Sequence, residues 1–147
     1  MKQRLLYMGL DVHKKTTDVA IASDRSNVKV RSYGKNASTL DALNKLLKKL
    51  QDGDKELRFV YEAGPCGYQI YRYLDAKGIY CSVVAPSMIP RRSGDWIKTD
   101  RRDAINLVRL FRAGELTSSI TSMVIKRHQS QMTLPFKIYE MHTSCFE

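Results

Sequence analysis

Apolar residues first gather in "LLYMGL" (5–10), a short and nearly continuous run that predicts a strand covered on both faces. "DVAIAS" (18–23) and "VKVRSY" (28–33) follow, with "DRSN" between them as a polar turn. In "VKVRSY", Val28, Val30 and Ser32 alternate with Lys29, Arg31 and Tyr33, the pattern of a half-exposed strand. Three strands so close together in the chain predict an antiparallel meander. The period then changes. In "STLDALNKLLKKL" (38–50), Leu40, Leu43, Leu46, Leu47 and Leu50 share one helical face while lysines hold the other. Ser38 reads as its N-cap, with Asp41 near the position of a capping-box acid.

"QDGDKE" ends that helix and "LRFVYE" (57–62) reads as a fourth strand. "GYQIYRYLDAKG" (67–78) reads as a helix closed by Gly78, and "IYCSVV" (79–84) as a fifth strand. Pro86 and Pro90 bracket a loop, and a last helix runs from about Thr99 to Ala113, stopped by Gly114. The predicted order is βββαβαβα: an α/β fold with a mixed sheet flanked by helices. Residues 119–147 lack clean periodicity, and a poorly packed tail is expected there.

A chain of 147 residues suits one domain with a real core. Its 25 Lys+Arg against 15 Asp+Glu give a net charge of +10, which favours polyanionic partners, nucleic acid first. No apolar run is long enough to span a membrane, and Asp11 interrupts the first one too early for a signal peptide. Cys66, Cys81 and Cys145 are odd in number and lack metal-type spacing, as suits a reducing cytoplasm.

Candidate chemistry lies in the acids. Two-metal phosphoryl-transfer sites need several carboxylates converging on Mg²⁺, a hard cation that takes oxygen ligands. Asp11 ends the first predicted strand and Glu62 the fourth. Asp100 and Asp103 share one face of the last helix. Each has an ordinary alternative, since acids form turns at strand ends and sit well in the first turn of a helix. Two strand-end acids together with a helical D-x-x-D are harder to dismiss.

Three separated motifs, "MGLDVHKKTTDVAIA", "FVYEAGPCGYQIYRYL" and "KTDRRDAINLVRLFRAGEL", resemble the N-terminal domain of DEDD-type insertion-sequence transposases, the RuvC-like, bridge-RNA-guided recombinases. The likeness covers about residues 5–118. It implies an RNase H-like (RuvC-like) fold for 1–118 and a two-metal Mg²⁺ site in which Asp11, Glu62, Asp100 and Asp103 are the catalytic ligands. It also implies DNA and a structured guide RNA as partners, and homo-oligomers on nucleic acid. From Arg91 to Arg112 the chain holds seven Lys/Arg and three Asp. Arg91, Arg92, Lys98, Arg101 and Arg102 flank the acids and are the expected phosphate contacts, whereas Arg109 and Arg112 read as a solvated helix face. Full-length members carry a second domain with a serine nucleophile. The tail 119–147 does not resemble the family's continuation, so a frameshifted or truncated frame is expected, with complete transposition by this chain alone improbable.

His13 reads as a surface group or a support for a ligand. Trp96 and Tyr68 could stack on bases or simply pack, and Cys66 lacks a visible base or partner. Four functions follow from the residues and their resemblances: a Mg²⁺-dependent nuclease or transposase domain, a stand-alone Holliday-junction resolvase, a non-catalytic nucleic-acid-binding remnant, and an actin- or sugar-kinase-like ATPase, whose first phosphate loop "GLDVHKKTTDVAIA" also resembles. The last needs a second domain and a second glycine-rich loop, and these 147 residues show the pattern of neither, so it is not expected.

Overall fold

Alternation in the first strand sends its residues to opposite faces of a sheet, and each face has found a different helical cover. The computed structural model describes residues 4–25, 27–51, 53–64, 68–90, 100–118 and 120–121, with 100–102 and 120–121 as backbone only. The strands are β1 (Arg4–Val12), β2 (Thr16–Ser23), β3 (Arg31–Ala37), β4 (Lys55–Glu62), β5 (Tyr80–Val84) and the two-residue β6 (Ile120–Thr121). The helices are α1 (Leu40–Leu50), α2 (Gln69–Ala76) and α3 (Asp100–Ala113). The sheet order is β3-β2-β1-β4-β5-β6. β1, β4 and β5 run parallel to one another, while β2, β3 and β6 are antiparallel to their neighbours. This is the expected RNase H-like mixed sheet, with β6 added at its edge.

One face carries the main core. Leu10 of β1 and Phe59 and Tyr61 of β4 pack with Leu43, Leu46, Leu47 and Leu50 of α1 and Ile70 and Leu74 of α2. Each buried leucine contributes about 1.5–3 kcal/mol by leaving water, so the leucine stripe alone accounts for the docking of α1. The opposite face holds α3, and here the side chains are small. Ala20 and Ala22 of β2 meet Ala104 and Val108, while Val60 and Val84 meet Leu107. Gly9 of β1 lies directly beneath α3: a Cβ added there would stand 2.5 Å from Val108 Cγ2 and 2.8 Å from the Ala104 carbonyl oxygen. The glycine therefore lets the helix backbone approach the sheet.

Two local expectations are corrected. The third strand starts at Arg31 rather than Val28, which is 42% exposed, and it runs on to Ala37. β3 is an edge strand whose residues are alternately exposed and half-buried, so it carries little amphipathic signal; pairing with β2 decides its position. That pairing breaks between Val19↔Gly34 and Ala20↔Ser32, leaving Tyr33 as the extra residue of a bulge beside Gly34 at φ +142°. The cap of α1 is Thr39, whose hydroxyl accepts from the Ala42 N–H at 3.1 Å. Ser38 is buried instead, hydrogen-bonded to the Thr17 hydroxyl at 2.8 Å and donating to the His13 carbonyl at 2.6 Å. Asp41 then sits in the first turn and pairs with Lys45 at 3.0 Å. Thr39→Ala is expected to cost about 1 kcal/mol, read as a lower melting temperature, because it leaves one helix N–H unsatisfied. Loss of stability in Ser38→Ala but not in Thr39→Ala would contradict the assignment of the cap.

Candidate metal and nucleic-acid site

The register of the central strands places the first two acids side by side. Leu10↔Tyr61 is the last matched pair of β1 and β4, and the next residue along each strand is Asp11 and Glu62. Neighbouring strands lie about 4.8 Å apart. Leu10 and Tyr61 face α1 and α2, so Asp11 and Glu62 follow Gly9 and Val60 onto the α3 face.

The helix runs antiparallel to β1 over this face. Phe111 meets Tyr7 edge-on with ring centres 5.5 Å apart, whereas Ala104 and Val108 meet Gly9. Continuing the same way brings the start of α3 toward Asp11. Asp100 is its first residue, one turn before Ala104, and Asp103 lies one turn before Leu107, which packs on Val60 and Val84. All four acids thus sit at one end of the fold, where the parallel strands present their carboxyl termini. Open α/β sheets bind ligands at that end. Asp103 and Glu62 are exposed, and Asp11 is half-buried. The side chain of Asp100 lies outside the described residues. Among those described, no three His, Cys, Asp or Glu side chains stand close enough together to hold a metal ion.

Asp11 has a defined partner. His13 Nε2 lies 3.0 Å from Asp11 Oδ2, so a protonated Nε2 donates to the carboxylate. The turn that carries His13 is tight, with the His13 N–H donating to the Thr16 carbonyl at 2.9 Å and the Ser38 hydroxyl donating to the His13 carbonyl. His13 is thus a support for an acid, one of the two roles its position in the sequence allowed.

Of the expected phosphate contacts, Arg91, Arg92 and Lys98 lie outside the described residues, as do the side chains of Arg101 and Arg102. Arg112 is no plain solvated group: its Nη1 donates to the Val28 carbonyl at 2.6 Å, to Arg25 at 3.3 Å and to Ser23 at 3.4 Å. It ties the β2–β3 connection to the end of α3. Arg109 Nη2 donates to Asn106 Oδ1 at 2.7 Å. Trp96 and Cys66 lie outside the described residues, while Tyr68 packs at the margin of the main core. Cys81 is fully buried in β5, and burial pushes its thiol well above the ordinary range, which keeps it protonated and unreactive.

Asp18 lies at the start of an apolar run rather than at a strand's far tip, so the pattern that marks Asp11 and Glu62 does not mark it. It sits directly across from Asp11 in the β1–β2 register, and Lys35 sits across from Asp18 in β3. The one signal for it was an acid at i−2 and i−4 from Ala20 and Ala22, on the face that small residues line.

A mixed sheet of this order, with carboxylates at the tips of its central parallel strands, defines the RNase H-like class. Comparison with known proteins narrows it. The family model for the IS110-type DEDD transposase, described as a transposase, matches residues 8–125. The putative transposase y4qE of Sinorhizobium fredii (strain NBRC 101917 / NGR234) is 44% identical over 115 residues, covering 78% of this chain and 30% of that protein. The transposase for insertion sequence element IS1533 of Leptospira borgpetersenii is 40% identical over 111 residues, covering 76% of this chain and 32% of that protein. Among solved structures, T. thermophilus RuvC in complex with Holliday junction substrate aligns with a TM-score of 0.49 at 9% identity, over 77% of this chain and 99% of that one. The chain belongs to the IS110-type DEDD transposase family. It spans about a third of the length of the curated relatives it matches.

Proposed function

We propose that this chain is the Mg²⁺-dependent DNA-processing domain of an insertion-sequence transposase, with Asp11, Glu62, Asp100 and Asp103 as its metal-binding catalytic acids. The observation that carries the reading is the placement of Asp11 and Glu62 as successive neighbours beyond Leu10↔Tyr61, beneath the end of the sheet where α3 begins. The donor set fits the metal: the acids offer hard carboxylate oxygens, which Mg²⁺ prefers over nitrogen or sulfur. Bound there, Mg²⁺ would supply Lewis-acid stabilisation of charge on a phosphate under attack. The chain's own part is to hold the oxygens in place. His13 fixes one oxygen of Asp11, and the close seat of α3 on Gly9 sets the distance between the helix acids and the strand acids.

Arg91, Arg92, Lys98, Arg101 and Arg102 are the proposed phosphate contacts, supported by their position around the D-x-x-D and by the net charge of +10. DNA is the substrate in this reading, a structured guide RNA its partner, a homo-oligomer its working form on nucleic acid, and the cytoplasm its place. Among the described residues no helix is long and apolar enough to cross a membrane.

Nucleic-acid binding by the purified chain tests the reading. If these five cations contact phosphates, log K should fall against log salt with a slope of about −4 to −5 on duplex DNA. Replacing one of them should reduce the slope by about 1 without changing sequence preference. Strand cleavage that appears only with Mg²⁺ completes the test. Preference for four-way junctions over duplex would shift the reading to a junction resolvase. Salt-sensitive RNA binding with no effect of Mg²⁺ would leave a non-catalytic binding module.

A further inference from the structure

A row of charged residues crosses the sheet at the candidate site, and one of its acids has no role in the set proposed above. Asp11, Asp18 and Lys35 are cross-strand partners on β1, β2 and β3, and Glu62 follows the last matched residue of β4 beside Asp11. Cross-strand partners share a face, and Thr17 and Val19 line the opposite side with Leu10, so Asp18 looks toward α3 with Asp11 and Glu62. Asp18 is only 6% exposed, and among the described residues its Oδ2 accepts no hydrogen bond. Its one charge partner among the described residues is Lys35, whose Nζ lies 3.4 Å from that oxygen and whose side chain is mostly in water.

This arrangement is unfavourable on its own terms. Like charges directly opposite on neighbouring strands destabilise a sheet, and a buried carboxylate oxygen without a hydrogen bond is costly. The next residues of β2 on this face, Ala20 and Ala22, show that a small apolar side chain suits the space under α3. A carboxylate at this place is accounted for when a cation shares it.

We propose that Asp18 is a further carboxylate of the acid site, adding negative charge from β2 beside Asp11 so that a divalent cation is held more tightly. Lys35 balances Asp18 in the absence of that cation. The proposal rests on the assignment of Asp11 and Glu62 to a metal site, and extends that site by one strand.

Calorimetric titration of the 147-residue chain with MgCl₂, with melting curves in metal-free and Mg²⁺-containing buffer, tests it. Asp18→Asn keeps the shape and removes the charge. It is expected to weaken Mg²⁺ binding by about 10–100-fold, the range typical of groups that support metal ligands. The metal-free chain should melt at least as high as wild type, since one of two facing like charges is gone. Lys35→Met should melt lower without metal and bind Mg²⁺ several-fold more tightly. If Asp18→Asn leaves Mg²⁺ affinity unchanged, Asp18 is a structural ion-pair partner and the proposal fails. Where Asp18→Asn fails to fold, or loses stability and affinity together, Lys35→Met decides: unchanged affinity overturns the proposal. Asp11→Asn separates the two readings. If it weakens binding while Asp18→Asn does not, only the role of Asp18 falls; if wild type binds no Mg²⁺, or Asp11→Asn binds as well as wild type, the metal site falls with it.

Discussion

Asp11→Asn and Glu62→Gln should each reduce Mg²⁺-dependent strand cleavage by on the order of 10³-fold, with the fold intact. Each change is nearly isosteric and removes one negative oxygen from the position proposed for the metal. A metal contact of this kind is worth several kcal/mol in the transition state, and about 4 kcal/mol corresponds to a factor near 10³ in rate. Stability should hold or rise slightly, since Asp11 faces Asp18 across the strand pair and shares its face with Glu62. Single-turnover cleavage with melting curves on the same preparations checks both halves. Cleavage at the wild-type rate in both variants would remove the acids from the mechanism.

Gly9→Ala is the second large effect, and it acts through distance. The added methyl would stand 2.5 Å from Val108 Cγ2 and 2.8 Å from the Ala104 carbonyl oxygen. The valine can turn aside, but the carbonyl belongs to the helix backbone, so α3 must retreat. Overpacking of this kind costs about 1–3 kcal/mol, or roughly 3–12 °C in melting temperature for a domain of this size. The functional loss should exceed the stability loss, because α3 carries Asp100 and Asp103 over β1 and β4. A misplacement near 1 Å between catalytic groups can cost about 10²-fold in rate. Val108→Ala in the Gly9→Ala background should recover part of the stability and little of the activity, since the contact with the carbonyl stays. A variant that melts and cleaves as wild type would show that α3 does not depend on this close approach.

These two predictions differ in how far they could be read from the chain itself. The acids Asp11 and Glu62 announced themselves locally, each at the tip of an apolar run, and the structure puts both at strand ends. Gly9 announced nothing: in "LLYMGL" it is one small residue in an apolar run, and its purpose depends on a helix about a hundred residues later. Thr39 and Ser38 show the same division on a small scale. Either could cap α1 by type, and only the burial of Ser38 between Thr17 and His13 leaves the role to Thr39.

By itself the sequence determined the order and type of the first five strands and the three helices, though not β6, because hydrophobic periodicity reports which face of a segment is buried, and that property is local. The leucines of α1, the apolar runs of β1 and β4, and the glycines that end α2 and α3 at φ +72° and +73° all belong here. So did the motifs that carry family membership. The β1–β2–β3 meander was also legible, since strands close in the chain pair with one another, whereas tertiary structure alone decided that β1 lies beside β4, more than forty residues on, and β4 beside β5. Strand register couples residues distant in sequence through backbone hydrogen bonds that any side chain permits, so no local pattern encodes it. That register lines up Asp11, Asp18 and Lys35, with Glu62 one residue past the last β1–β4 pair, and it starts β3 three residues later than its alternation suggests.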